Sequence, residues 1–391
     1  MALADADIAP PARGRYTLDG DAAVESRIAA DQQRVVAGLG GLLEASAFRA
    51  LVLLGGYGRG EGGYVLRDGR PQPYNDYDYF VVVRGMGRSQ RNALARALAE
   101  RAKLLEHEVG VEVDFALLRE EALPRAEYSL MNAEMLWGHR VVAGDPQVLR
   151  AMPPMPFSTL PPGEFTRLLL NRGSLLLMNA RRLAGSGRFS GGEREVLFKY
   201  LFKAVLACGD ARLAGNRSYH PSYVQKLELL RSLDWPGQAQ FIDLYLQAWR
   251  NKFHPDYGSF AGEDAGSWQA AVVRLWLDTL SWFEQQRTGE AFADWTAYCT
   301  PRLPKGQSGA PWGGLRNAAI TLRDFGPGEL VRRPRWSLQY PRERLISVLP
   351  LLLAEPGAMP LRPVADALAL PARSTWEDAV ATFLSLWRRF A

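Results

Sequence analysis

"NDYDYFVVV", residues 75–83, sets Asp76 and Asp78 on either side of a tyrosine, at the head of a run of β-branched and aromatic residues. Such a run reads as a strand, and residues two apart on a strand share a face. Both carboxylates therefore point to one spot. Two like charges there repel unless a cation sits between them, so the pair asks for a divalent metal. A capping or turn role would explain Asp76 beside Asn75 taken alone.

Upstream, "FRALVLL", 48–54, reads as another strand and delivers the chain into "GGYGRGEGG", 55–63, with six glycines in nine positions. Residues 58–65 match the protein-kinase loop G-x-G-x-x-G-x-V, but no lysine follows until Lys103 and no H-R-D-x-x-x-x-N occurs. A dinucleotide fingerprint needs a helix opening at its third glycine. Here "YVLRDGRPQPY", 64–74, reads instead as a hairpin turning at Asp68-Gly69. The P-loop pattern is absent. Taken alone, the loop reads as a flexible connection before it reads as a phosphate site.

Downstream, "SQRNALARALAERAKLLEHEVG", 89–110, has helical spacing, with Ser89 as N-cap and Gly110 at its end. "VEVDFALL", 111–118, is then a third strand, with Asp114 between apolar neighbours. Mid-strand, no turn or cap explains that carboxylate.

Strand, Gly-Gly, Asp-x-Asp on a second strand and a single Asp on a third resembles the DNA polymerase β-like nucleotidyltransferase superfamily. "GGYGRGE" followed by "YNDYDYFVV" is most similar to the uridylyltransferase domain that acts on the PII signalling protein. The resemblance covers about residues 25 to 120. Nineteen residues separate Gly56 from Asp76, a longer spacing than is usual there, which the 64–73 excursion explains. None of the four histidines is followed by Asp, so the metal-dependent hydrolase part of the PII enzyme has no counterpart here.

The resemblance implies an α+β fold, with a small mixed-sheet nucleotidyltransferase core followed by a mainly α-helical domain. It implies that Asp76 and Asp78 bind two ions, Mg²⁺ or Mn²⁺, and that Asp114 binds one and polarises the acceptor. Gly55 and Gly56, without side chains, would let backbone N–H groups approach the β- and γ-phosphates. Arg59 would pair with a phosphate oxygen or stand solvated.

From "MPPMPF" onward helical patterns dominate, at 163–184, 192–214, 222–234, 236–252 and 265–287, and ten of eleven tryptophans fall there. Lysine is scarce, with six in the chain, and Lys199 and Lys203 lie one helical turn apart. The superfamily often brings a lysine from its helical domain onto the triphosphate, so one of these two is a candidate; the alternative is a solvated helix edge. Tyr219, in "GDARLAGNRSYHPSY", is a candidate to stack on the base. "VRRPRWSLQYPRERL", 331–345, interleaves arginines with Trp336 and Tyr340, as an RNA contact would, or as arginine stems covering aromatics would.

Size and composition set the frame. A chain of 391 residues with 47% hydrophobic and 23% charged residues is globular and long enough for two or three domains. The expected division is a flexible tail at 1–22, a nucleotidyltransferase domain at 23–150, a helical domain at 151–297, a Gly/Pro-rich linker at 298–315 and a helical C-terminal segment at 316–391. A net charge of +5 permits an anionic substrate without demanding nucleic acid. Two cysteines without a C-x-x-C fit a reducing compartment. No signal peptide is legible, and the apolar run 345–354 contains Pro350 and is too short to span a bilayer. The expectation is a cytoplasmic enzyme, without a membrane partner, that moves NMP from ATP or UTP to a protein or small-molecule acceptor. The alternatives are an RNA-directed transferase and a non-catalytic nucleotide-sensing or antitoxin-like protein on the same fold.

Overall fold

Six strands form where the sequence alternates: β1 (Phe48–Leu53), β2 (Tyr64–Arg67), β3 (Arg70–Pro73), β4 (Tyr77–Val83), β5 (Val113–Arg119) and β6 (Arg140–Gly144). They belong to a computed structural model that describes residues 14–185, 189–301, 305, 313–354, 361–371 and 373–391. The architecture is α+β. Four strands make a mixed sheet in the order β5-β4-β1-β6, with β1 antiparallel to β4 and β6, and β4 parallel to β5. β2 and β3 pair apart from it as the expected hairpin, turning through Asp68 and Gly69 at φ 52° and 72°. Positive φ at both turn positions matches the twist of the flanking strands.

The chain divides into two compact units. The first holds the described residues up to Leu160 together with His220–Leu227 and Trp249–Asp256. The second holds Pro161–Tyr219, Glu228–Ala248 and Tyr257–Ala391. The helical C-terminal segment lies within the second unit.

In the first unit the helices are α1 (Ala22–Gly38), α2 (Gly55–Arg59), α3 (Arg88–Val109) and α4 (Leu130–Trp137). One sheet face is buried against α1 and α3. Tyr77, Tyr79, Val81 and Val83 of β4 join Leu51 and Leu53 of β1 and Val113 of β5 in a core with Val24, Ile28, Leu98 and Leu105. Each such side chain contributes about 1.5–3 kcal/mol of burial. Since a strand alternates, this inward set forces Asp78 and Asp114 to the opposite face.

α1 starts at Asp21, whose carboxylate accepts the N–H groups of Ala23 and Val24. α3 begins two residues earlier than expected, at Arg88, because Gly87 in place of Ser89 fills the N-cap position and its N–H donates to Gln90 Oε1 at 2.8 Å. It ends at Gly110, in the left-handed region at φ 79°. Of the expected tail, residues 1–13 lie outside the described residues. Tyr16 and Thr17 are fixed, with both N–H groups donating to the Glu25 carboxylate and Thr17 bridging to Gly62.

Later helices are α5 (Gly163–Leu183), α6 (Gly191–Gly215), α7 (Tyr223–Ser232), α8 (Gln238–Phe253), α9 (Ala265–Thr288) and α10 (Trp295–Tyr298). They continue with α11 (Gly313–Phe325), α12 (Pro327–Arg332), α13 (Pro334–Ser337), α14 (Pro341–Ala354), α15 (Leu361–Leu368) and α16 (Trp376–Phe390). α5, α6 and α9 pack on one another, and α14 adds to α5 and α9 while meeting α15 and α16. The apolar run with Pro350 is therefore a buried helix. Among the described residues no helix is long and apolar enough to cross a membrane. Buried Glu284 accepts from the hydroxyls of Thr166 and Tyr298 and pairs with Arg287, which ties α5, α9 and α10 together. Most of the expected linker, 302–304 and 306–312, lies outside the described residues.

Candidate functional site

β4 and β5 run parallel in a register that sets Asp78 directly beside Asp114. Asp76 precedes β4 by one residue. Asp76 and Asp78 are half-buried and Asp114 is exposed, whereas Val82, further along the same face, is fully buried. The face is open where it carries the carboxylates and closed beyond them.

The glycine pair meets this edge. Leu54 N–H donates to Asp78 O at 2.8 Å, which fixes the end of β1 against the start of β4. Gly55 has φ 65°, and a Cβ there would stand 3.3 Å from Asp78 Oδ2. Any other residue would be strained and would fill the approach to that carboxylate. The glycines form not an open loop but one short helical turn, α2, closed by Gly60 in the left-handed region at φ 77°.

What holds this turn went unread in the sequence. Tyr57 is buried inside it; its hydroxyl donates to Gly63 O at 2.7 Å and accepts from Tyr74 N–H at 2.9 Å and Asn75 N–H at 3.1 Å. One phenol thereby pins the glycine turn to the residues that lead into Asp76. Burial pushes the Tyr57 hydroxyl far above its ordinary range, so it stays a donor. Gly63 N–H donates to Asn75 Oδ1 at 2.7 Å, a second link between the same segments.

Behind the sheet, Tyr77 OH donates to Asp31 Oδ2 at 3.1 Å and Tyr79 OH to Gln32 Oε1 at 2.7 Å. Asp31 is buried and its charge is met by Arg27 and Arg34. The two tyrosines between and after the aspartates are thus anchored on α1, and their bonds set the rotation of β4. Burial is the largest cause raising both hydroxyls above their ordinary range. A periodic apolar reading of α1 gives no sign of this, because Asp31 and Gln32 look like surface residues.

Glu61 is buried and accepts from Ser222 Oγ and, at 3.2 Å, from Tyr223 N–H, so the glycine turn also holds the start of α7. Arg59, a candidate phosphate ligand by sequence, is buried; its guanidinium pairs with Glu134 at 3.5 Å and its stem packs on Gly138. Lys226 lies 3.9 Å from the same Glu134 and over the Tyr223 ring, with Lys252 also over that ring. His220 accepts Ser222 N–H at Nδ1, 3.0 Å, and sits edge-on to Trp137. Burial, aided by the Lys226 charge, lowers its pKa to about 4.

The remaining sequence candidates belong to the second unit. Lys199 and Lys203 are half-buried, one turn apart on α6. Tyr219 is buried, its ring edge-on to Phe165 at 4.9 Å between centroids.

Asp76, Asp78 and Asp114 supply oxygen donors alone, the set a hard cation such as Mg²⁺ takes. Among the described residues no three His, Cys, Asp or Glu side chains lie close enough to hold one ion between them. Mg²⁺ commonly binds through one or two carboxylates and completes its shell with water and substrate phosphate, so the neighbouring pair Asp78 and Asp114 fits it. Comparisons with protein-family models, curated proteins and solved structures return no match to this chain. The functional reading therefore rests on the geometry and chemistry of the site.

Proposed function

We propose that the first unit is a polymerase β-like nucleotidyltransferase that moves NMP from an NTP, ATP or UTP, to a protein or small-molecule acceptor. The observation that carries this reading is the parallel register of Asp78 with Asp114, with the Gly55 backbone against Asp78. Two carboxylates side by side on one open sheet face repel each other without a cation, and the Gly55-Gly56 backbone beside them gives a triphosphate room.

Asp78 and Asp114 would share one ion with water and substrate phosphate, and Asp76 would serve the second. When bound, the ions neutralise the triphosphate and support the attacking and leaving oxygens of an in-line displacement. Gly55 and Gly56 let the chain come close to the β- and γ-phosphates. Asp114, the exposed member, accepts the proton of the acceptor hydroxyl. That oxygen then attacks the α-phosphorus, the bond to the β-phosphate breaks, and pyrophosphate leaves with its electron pair. Tyr57, Tyr77 and Tyr79 act by positioning, since they fix the turn and the strand that present these groups.

The test incubates the protein with each α-labelled NTP, Mg²⁺ or Mn²⁺, and a lysate of its host. A labelled protein or small molecule is expected with one or two NTPs. Absence of label and of pyrophosphate under every condition would overturn the proposal and favour a non-catalytic protein on this fold.

A further inference from the structure

The sheet ends at β5, and among the described residues no strand pairs along its outer edge. Tyr77 N–H donates to Glu112 O at 2.9 Å, and the parallel register sets Tyr77 beside Val113. That bond fixes the phase of the ladder. Glu112, Asp114, Ala116 and Leu118 turn their main-chain groups inward to β4, so Val113, Phe115, Leu117 and Arg119 turn theirs outward. The Val113 N–H is taken by Glu106 Oε1 at 3.4 Å. Among the described residues nothing is bonded to the outward N–H and C=O groups of Phe115 and Leu117. Their side chains pack on the core of the first unit, so what these two residues offer at the edge is backbone.

Sheet edges are ordinarily blunted by proline, lysine, bulges or short strands. β5 has seven residues, contains neither proline nor lysine, and keeps an unbroken register on β4. β6, at the other end of the sheet, has five residues, and its pairing with β1 shifts register between Leu51 and Val52. One edge is blunted and the other is straight. A row of unpaired donors and acceptors at strand spacing is complemented by one chemistry, the backbone of an extended chain.

We infer that an extended segment of an acceptor protein adds to β5 as a further strand and presents a serine or threonine hydroxyl to Asp114; its role as acceptor rests on the nucleotidyltransferase reading. In an antiparallel addition Phe115 and Leu117 form the hydrogen-bonded pairs. Asp114 then takes a non-hydrogen-bonded position, where facing side chains come closest. The residue opposite Asp114 shares its sheet face, with Cβ atoms about 4.5–5.5 Å apart. Asp114 and Ala116 are exposed on that face, which leaves it open to the incoming side chain. The hydroxyl proton passes to Asp114, the oxygen bonds to the α-phosphorus, and pyrophosphate leaves with the electron pair of the broken bond. The edge thus selects a protein acceptor, because a small molecule has no backbone to pair with it.

Amide hydrogen exchange of the full chain tests this. In the free protein the Phe115 and Leu117 amides should exchange fast and those of Asp114 and Ala116, bonded to β4, slowly. Slow exchange at Phe115 and Leu117 would mean that the edge is already paired, within the chain or with a second copy, and would overturn the inference. The probe is a synthetic peptide alternating valine and threonine, with a twin N-methylated at its valines. The peptide at saturation should slow exchange at Phe115 and Leu117 at least about tenfold, and the twin should not. Leu117→Pro and Arg119→Pro each remove an outward donor at an edge position, where proline is tolerated. Both should bind the peptide at least about tenfold more weakly, with circular dichroism checking that they stay folded. With α-labelled NTP and Mg²⁺, label on the peptide's threonine is expected. Protection by the peptide without label on any acceptor would sink the catalytic reading and still support the docking edge. No protection by the peptide, or equal protection by its N-methylated twin, would overturn the inference even where label reaches another acceptor.

Discussion

At the residue scale, the candidate chemistry rests on Asp78 and Asp114, side by side on the open face of the sheet. Asp78→Asn keeps shape and removes charge beside Asp114, so the thermal midpoint should change little while nucleotidyl transfer falls by about a thousandfold, from the loss of several kcal/mol of ion-mediated stabilisation at roughly 1.4 kcal/mol per tenfold. Parallel melting curves and initial rates decide this; a comparable loss in both would make Asp78 structural. Tyr57→Phe should do the reverse. It removes the donor to Gly63 O and an acceptor from Tyr74 and Asn75, at a cost of about 1–3 kcal/mol measurable by denaturant unfolding.

His220 predicts a pH dependence. Its pKa is lowered from 6.5 to about 4, so between those values the unfolded chain binds a proton that the folded chain refuses. Stability from neutral His220 is therefore complete above pH 6.5 and is lost as pH falls toward 4. Unfolding midpoints across this window should fall less steeply in His220→Gln; an unchanged slope would assign the acid loss to other groups.

At the element scale, β1, β4, β5, α3 and the long helices were legible because each has a clean period and several have terminal signals. β6 was not, since "RVVAG" has five residues, too few for a period to show, and becomes a strand by pairing along β1. α2 was hidden for a related reason: glycines carry no helical preference, and what winds them is Tyr57, whose hydroxyl finds partners up to eighteen positions away. The carboxylates were legible because local alternation fixes their face. Arg59 was not, because its partner Glu134 lies seventy-five positions on. Gly62 tests the turn. A Cβ there would stand 2.0 Å from the Tyr57 ring and 2.9 Å from Tyr16 O, so Gly62→Ala should expel Tyr57 and unfold the turn, read as lost protection of the Tyr74 and Asn75 amides in hydrogen exchange. Retained protection would show that the ring can shift.

At the scale of the whole molecule, the first unit is discontinuous in sequence, since His220–Leu227 and Trp249–Asp256 complete it. Buried Glu61 depends on Ser222 and Tyr223 from the first of these. A fragment ending at Leu160 should therefore melt below the full chain and lose near-ultraviolet dichroism, which a direct comparison of the two would measure. An equally stable fragment would mean that the added segments only decorate the fold.

The most direct measurement compares the wild type with Asp78→Asn and Asp114→Asn for transfer of label from α-labelled NTP in Mg²⁺ or Mn²⁺. Label transfer with stoichiometric pyrophosphate in the wild type, lost in both variants, is the predicted result. No transfer by the wild type with any NTP, or transfer undiminished in the two variants, would contradict nucleotidyl transfer at this carboxylate edge.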